Sequence, residues 1–503
     1  MRPALLLFLA SCASSAVAQS PVEAARAHRA ANGARILADF AELLAIPNVG
    51  TDRVNIRRNA EHIRDAFARR GAEMELLEVP DANPVVYGVL DAPNAKRTLG
   101  IYVHYDGQPV NAAAWTHPPF EPALYTRAIE AGGERRAFPE EGEAIDPEWR
   151  IYARSAGDDK APIAALLAAL DALDAAGIER TAKLVFLFEG EEEMGSPNLG
   201  RTFDAFGDRL DVDLWLICDG PVHQSRKPQL VFGVRGITSL EITVYGATRN
   251  MHSGHYGNWA PNPGMMLAQL LASTKDEDGN VVIEGFYDSV TPLSPDERAA
   301  IASLPDVDAS LKAELGLART EGGGASLGER LLLPSLNVQG LSSGRTGAEA
   351  RNVIPSTATA NIDIRLVKGN EPVAMIDLVE AHVRKRGYHV VREEPDLQTR
   401  LAHPRIARIV RGGGYPAART SLDHPLVRPL AEAAAAAAGE PVILMPSLGG
   451  SLPLYLFDEK LGRPVVITPI ANHDDNQHAP DENIRIANLW YGIDLMAAIM
   501  AMP

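Results

Sequence analysis

FEGEEEMGS, running from Phe188 to Ser196, follows the apolar run Leu184–Leu187 and decides how the rest of the chain is read. Glu189, Glu191, Glu192 and Glu193 crowd the end of what reads as a buried strand, where like charges repel and a charged group is costly to desolvate. A solvated acidic turn is one reading. The strand-then-glycine setting favours another, in which something cationic offsets the repulsion. Successive residues of an extended chain point to opposite sides. Glu192 and Glu193 therefore suit different tasks, one binding a metal and the other facing a water as general base.

Working outward, short apolar strands are predicted at Leu99–His104, Lys183–Phe188, Leu214–Cys218 and Pro464–Thr468, with an Ala/Leu-rich helix from about Asp159 to Ala175. That alternation indicates a largely parallel sheet covered on both faces. Chemistry-bearing residues follow its strands: His104 and Asp106 in HYDGQP, Asp219 in CDG, and His473 to His478 in NHDDNQH. SAGDDK, holding Asp158 and Asp159, opens the helix, where either carboxylate would also serve as a cap. Open α/β sheets bind ligands at the carboxyl ends of their strands.

From Gly236 the pattern changes. Strands at Ser239–Tyr245, Ser335–Gly340, Thr357–Leu366 and His389–Val391, with helices at Pro263–Ser273 and Val373–Arg386, give the split β-α-β order of a ferredoxin-like α+β module. Residues 275–332 form an excursion within it. The expected organisation is a discontinuous first domain, 22–235 and 413–503, with 236–412 inserted as a second.

The net charge of −17 argues against a nucleic-acid surface. Met1-Arg2, the apolar run to Ala10 and Ala16-Val17-Ala18 read as an export signal over residues 1–18, implying a periplasmic or secreted enzyme with no transmembrane span. Leu9-Ala-Ser-Cys12 also fits a lipobox with a lipid anchor at Cys12. Cys12 and Cys218 are the only cysteines, so removing the signal excludes an internal disulfide.

In order and spacing these motifs resemble the co-catalytic dizinc metallopeptidases that include carnosinase, glutamate carboxypeptidase, succinyl-diaminopimelate desuccinylase and aminoacylase, the dipeptidase branch above all. The resemblance runs from about residue 35 to the end. It implies a zinc-exopeptidase-like catalytic domain with an inserted lid and dimerisation domain, holding two Zn2+, with Co2+ or Mn2+ as substitutes. His104 and Asp219 would ligate one ion, Glu193 and His478 the other, and Asp158 both. Glu192 would be the general base and Asp106 the partner of His104, and a cis peptide is expected at Asp158–Asp159. RNMHSG resembles a motif whose His, here His252, enters the neighbouring subunit's site in a homodimer. Asn352 and Arg365 match positions that bind the substrate carboxylate, although a strand-edge salt bridge also explains Arg365. Gly450 and Ser451 match a loop that approaches substrate, but Ser447 and Leu448 stand where the family has Arg and Glu.

The function implied is cleavage of dipeptides, or of the C-terminal residues of short peptides, by metal-activated water. An N-acyl amino acid amidohydrolase of the same family is the alternative. A catalytically inactive periplasmic binding protein is a third reading, which the intact ligand set disfavours.

Overall fold

A computed structural model describes residues 19–450 and 452–503. The signal-like segment with Cys12, and Ser451, lie outside the described residues. The central feature is an eight-stranded sheet ordered Glu73–Leu77, Val85–Leu90, Ala182–Glu189, Arg97–His104, Leu214–Ile217, Val465–Ile467, Gln229–Val231 and Ile443–Met445. The four middle strands, Ala182–Glu189 through Val465–Ile467, are mutually parallel. They are the four read from the apolar runs.

Alternation along each strand feeds two cores. Leu99, Ile101, Val103, Leu184, Phe186 and Phe188 face helices Pro21–Leu44, Arg53–Ala68, Ala161–Ala176 and Ile486–Met500. Tyr102, Val185, Leu187, Trp215 and Ile217 face the opposite way, against Phe203 and Phe457. Burial on both sides explains why, past the partly exposed Arg97, Thr98 and Lys183 at their starts, these strands carry no polar residue before their last position. Helix Ala161–Ala176 is capped at Lys160 without a side-chain hydrogen bond, so neither Asp158 nor Asp159 serves as its cap. Those two carboxylates are free for another role.

A second sheet of five strands is ordered Ser335–Ser342, Thr357–Leu366, Gly236–Tyr245, Ile406–Tyr415 and His389–Val391. Its own core packs helices Pro263–Ala272 and Pro372–Lys385 on one face through Leu267, Leu270, Met375 and Val379. This is the ferredoxin-like order, with one revision. The strand beside Gly236–Tyr245 that completes it is Ile406–Tyr415, and His389–Val391 adds a parallel edge strand outside it. The sequence IARIVRGGGY hides that strand because its second half is exposed and glycine-rich. Gly412 is needed there: a Cβ would meet the Ser239 hydroxyl at 2.1 Å. Residues 275–332 carry three short helices, Pro295–Ala302, Asp308–Glu314 and Leu327–Arg330. Among the described residues no helix is long and apolar enough to cross a membrane.

The site rests on close packing below it. Gly100 lies opposite Trp215 in adjacent strands, and a Cβ at Gly100 would sit 2.3 Å from the fully buried indole. Overpacking a rigid core costs about 1–3 kcal/mol. Gly100→Ala is therefore expected to lower stability by about 2 kcal/mol in urea unfolding.

Candidate metal centre

Each of the four parallel strands delivers a functional group at its carboxyl end. His104 is the last residue of its own strand, and Asp219 follows Ile217 by two. Glu189 ends the next strand and leads into a short 3-10 turn, Glu192–Met194. Val465–Ile467 leads into the loop that carries His478. Asp158 and Asp159 arrive from the other side, on the turn entering helix Ala161–Ala176, joined by the expected cis peptide.

Two sets of ligand atoms result, each gathered within 4.8 Å: His104, Asp159 and Asp219 in one, and Asp158, Glu193 and His478 in the other. Asp158 reaches toward both. Its Oδ1 lies 2.8 Å from His104 Nε2 and its Oδ2 lies 3.1 Å from His478 Nε2, which is also 3.2 Å from Glu193 Oε2. His104 Nε2 is 3.9 Å from Asp219 Oδ2. The five residues expected to ligate metal thus converge. Asp159, read from sequence only as a capping candidate, joins them.

The electrostatics show what is missing from a shell of protein groups alone. Burial pushes Asp219 up to about 7 and raises Asp159 and Glu192 well above the usual carboxylate range. His478 is raised to about 10 by its hydrogen bonds to Asp158 and Glu193. Burial pulls His104 down, but contacts with Asp106 and Asp158 outweigh it and leave the imidazole well above its ordinary value. Without other cations, protons must supply the positive charge. One buried oxygen, Asp159 Oδ1, has no hydrogen-bond partner at all. Imidazole and carboxylate donors in two sets sharing one aspartate fit a pair of divalent cations, zinc included.

Further residues hold these groups in place. Asp106 does more than accompany His104. Its side chain is 3.5 Å from His104 Nδ1, while its two oxygens accept the backbone N–H groups of Glu192 and Glu193 at 3.1 and 3.2 Å. It therefore ties the His104 strand to the glutamate turn. Glu482, paired with the buried Arg154 at 2.6 Å, accepts the N–H groups of Gly157 and Asp158 at 3.1 and 2.9 Å. Gln477 and Gln108 donate to Asp158 and Glu193 at 2.8 and 2.7 Å. The fully buried Lys160 donates to the Leu43 and Ile46 carbonyls, anchoring the turn to the first helix. The other two glutamates of the opening motif are structural: Glu189 accepts from Tyr102 at 2.6 Å, and Glu191 from Asn83 N and Asn198 Nδ2.

The remaining expected site residues are not in this cluster. Arg365 lies on the second sheet, 3.5 Å from Asp363. Asn352 is exposed, and its carbonyl accepts from Ser253 N. His252 is exposed on the adjoining hairpin, where its Nδ1 accepts from Gly254 N and its ring lies tilted against that of His255. The Gly450 carbonyl accepts from Arg235 N, which ties that loop to the strand entering the second sheet.

A mixed sheet whose four parallel middle strands carry a two-set cluster of imidazoles and carboxylates at their carboxyl ends defines a metal-dependent hydrolase. Residues 100–502 match the model of peptidase family M20/M25/M40, and the chain belongs to that family of metal-dependent peptidases. It is 25% identical to the Cys-Gly metallodipeptidase dug1 of Schizosaccharomyces pombe, covering 90% of this chain and 92% of that protein. It is 26% identical to the Beta-Ala-His dipeptidase of Homo sapiens, covering 86% and 82%. Among solved structures, the M20 family metallo-carboxypeptidase Sso-CP2 from Sulfolobus solfataricus superposes with a TM-score of 0.70 at 28% identity, covering 92% of this chain and 98% of that one. These relatives correct one expectation. Matches over most of the chain to fungal and mammalian dipeptidases overturn the periplasmic or secreted placement. That placement rested on the apolar and small-residue composition of residues 1–18 alone.

The loop bearing His478 is held by Arg150, which donates to the Asp474 carboxylate at 2.7 Å and to its carbonyl at 3.1 Å. Burial raises the Asp474 carboxyl, but the hydrogen bonds from Arg150 and Asn472 dominate and bring it down from 3.8 to about 2. A depressed folded-state pKa stabilises above the unfolded value, and the gain is lost as pH falls through the folded one. Asp474→Asn should cost about 1 kcal/mol at pH 7, allowing for the half-exposed carboxylate. Urea unfolding of both proteins should show that gap full down to about pH 4 and shrinking toward pH 2.

Proposed function

We propose that this chain is a dinuclear metal-dependent dipeptidase, hydrolysing the amide bond of dipeptides or of the C-terminal residue of short peptides. The observation that carries the reading is Asp158, with one carboxylate oxygen toward His104 and the other toward His478. His104, Asp158, Asp159 and Asp219 on one side, and Asp158, Glu193 and His478 on the other, are the residues that would hold the two cations. When bound, such a pair polarises a carbonyl and acidifies water.

The chain's own groups do the rest. Glu192 is the general base: it takes the proton of the attacking water and returns it to the leaving amine nitrogen as the C–N bond breaks. Its environment suits that task, because burial and the neighbouring Asp219 and Asp158 raise its proton affinity against the opposing His104. Asp106 fixes the turn that presents Glu192 through the Glu192 N–H. Arg365, with its planar fork, and Asn352 are assigned to the substrate's terminal carboxylate, with the Gly450–Ser451 loop beside the peptide. Both belong to the second sheet's module, so that assignment includes closure of the module over the substrate.

We assign His252 to the active site of a second copy, stabilising the oxyanion there. Two features support a homodimer: His252 is exposed, and the edge strand Ser335–Ser342 presents Val338 and Leu341 to solvent. The names of the relatives, which include Cys-Gly and β-Ala-His dipeptidases, support dipeptides as the substrate class.

A panel of Cys-Gly, β-Ala-His and other dipeptides beside N-acetyl amino acids tests the reading. Dipeptides should be cleaved and chelation should abolish cleavage. Turnover of N-acetyl amino acids alone would favour a deacylase, and metal-independent cleavage would overturn the proposal. Glu192→Gln should lower kcat about a thousandfold while leaving metal content unchanged. Light scattering that gives the mass of one chain would count against the dimer.

A further inference from the structure

Beside the metal centre lies a cavity of about 740 Å³, in the range that encloses whole small ligands. Its near wall comes from the two loops that also carry metal-site residues. Pro221 and Val222 follow the Asp219 turn, and His473 lies in the loop that ends at His478. Pro221 bridges Ala471 and Val222 N donates to the Ala471 carbonyl, so the two loops bearing metal-site residues meet beside this wall. The far walls come from two distant parts of the chain. Ile301, Leu304, Leu327 and Leu331 belong to the 275–332 excursion, Met445 to the edge strand of the eight-stranded sheet and Leu448 to the loop after it. Leu304 and Leu448 pack against the same buried core.

The acidic residues lining the cavity are already engaged. Glu329 accepts from the Ser326 backbone and hydroxyl, and Asp308 from Leu327 N. Apolar side chains make up most of the wall, and the basic groups beside them are Arg298, His223 and His473, so the cavity suits an apolar side chain and disfavours a cationic one, whose desolvation would go uncompensated.

We propose that this cavity is the side-chain subsite of the peptidase centre, and that Leu448 and the excursion leucines select dipeptides carrying a bulky apolar residue. The proposal rests on the dipeptidase reading and adds the substrate class to it.

The test compares Leu-Leu with Gly-Gly on the full-length, zinc-loaded chain, together with Leu448→Asp and the volume-conserving Leu448→Met. The wild type is expected to favour Leu-Leu in kcat/KM by at least tenfold. Leu448→Asp should cut that ratio at least tenfold and Leu448→Met should retain it. Calorimetric titration of the chelated protein, where no turnover intervenes, should show tighter binding of Leu-Leu than of Gly-Gly. Cleavage of both dipeptides at similar kcat/KM, or a ratio untouched in Leu448→Asp, overturns the subsite and leaves the peptidase reading standing. If no dipeptide is cleaved the peptidase reading falls, and the calorimetric preference then decides the subsite by itself. Should Leu448→Asp fail to fold, the wild-type ratio and that preference decide it: a clear preference for Leu-Leu supports the subsite, and none overturns it.

Discussion

The structure turns on unfavourable crowding: Asp158, Asp159, Asp219, Glu192 and Glu193 share one partly buried site with two imidazoles. Burial raises Asp219 to about 7 and Glu192 and Asp159 well above the usual carboxylate range, which favours protons on these three, while at Asp158 burial is outweighed by hydrogen bonds to His104 and His478, which hold it well below that range. A pair of divalent cations replaces those protons with fixed charge. The site is costly for any chain that does not use it, which is the physical reason to read it as functional.

The fold exists to hold that crowding at one place. Four parallel strands buried on both faces leave their groups no freedom at the carboxyl end, and both cores reach up to the last strand residue. The cross-ties are specific. Asp106 joins one strand end to the turn after its neighbour, and the Arg154–Glu482 pair holds the Asp158 turn by two backbone N–H groups. A buried ion pair of this kind adds little net stability, but losing either partner leaves a bare charge inside the protein. It is better understood as fixing the position of the Asp158 turn.

Much of this was legible in the sequence, and the reason is local. Apolar runs ending in His, Glu or Asp report both a buried strand and its exit, so His104, Glu192, Glu193 and Asp219 could be put at strand ends from pattern, while their roles as ligands and base came from the family resemblance. Asp158 and His478 were the least marked, since a helix-opening Asp and a loop His each have ordinary explanations. What escaped depended on contacts across the chain. Asp159 looked like half of a capping pair, Glu482 sits 324 residues from the N–H of Asp158 that it binds, and Asp106 serves a turn 86 residues away at Glu192. No local pattern marks such partners. The strand Ile406–Tyr415 escaped for the opposite reason, because Arg411 and three glycines on an exposed half erase the alternation that pattern reading requires. The N-terminal segment misled in a third way: a short apolar run with small residues is a compositional signal, and the relatives overruled its implication for location.

The central claim is that these side chains are gathered around two cations and share Asp158. Elemental analysis of the purified chain after equilibration with zinc and removal of the free metal tests it most directly. The account predicts two zinc ions per chain, falling to one or none in Asp158→Ala. Protein that binds no zinc, or an Asp158→Ala variant that keeps both ions, would contradict it.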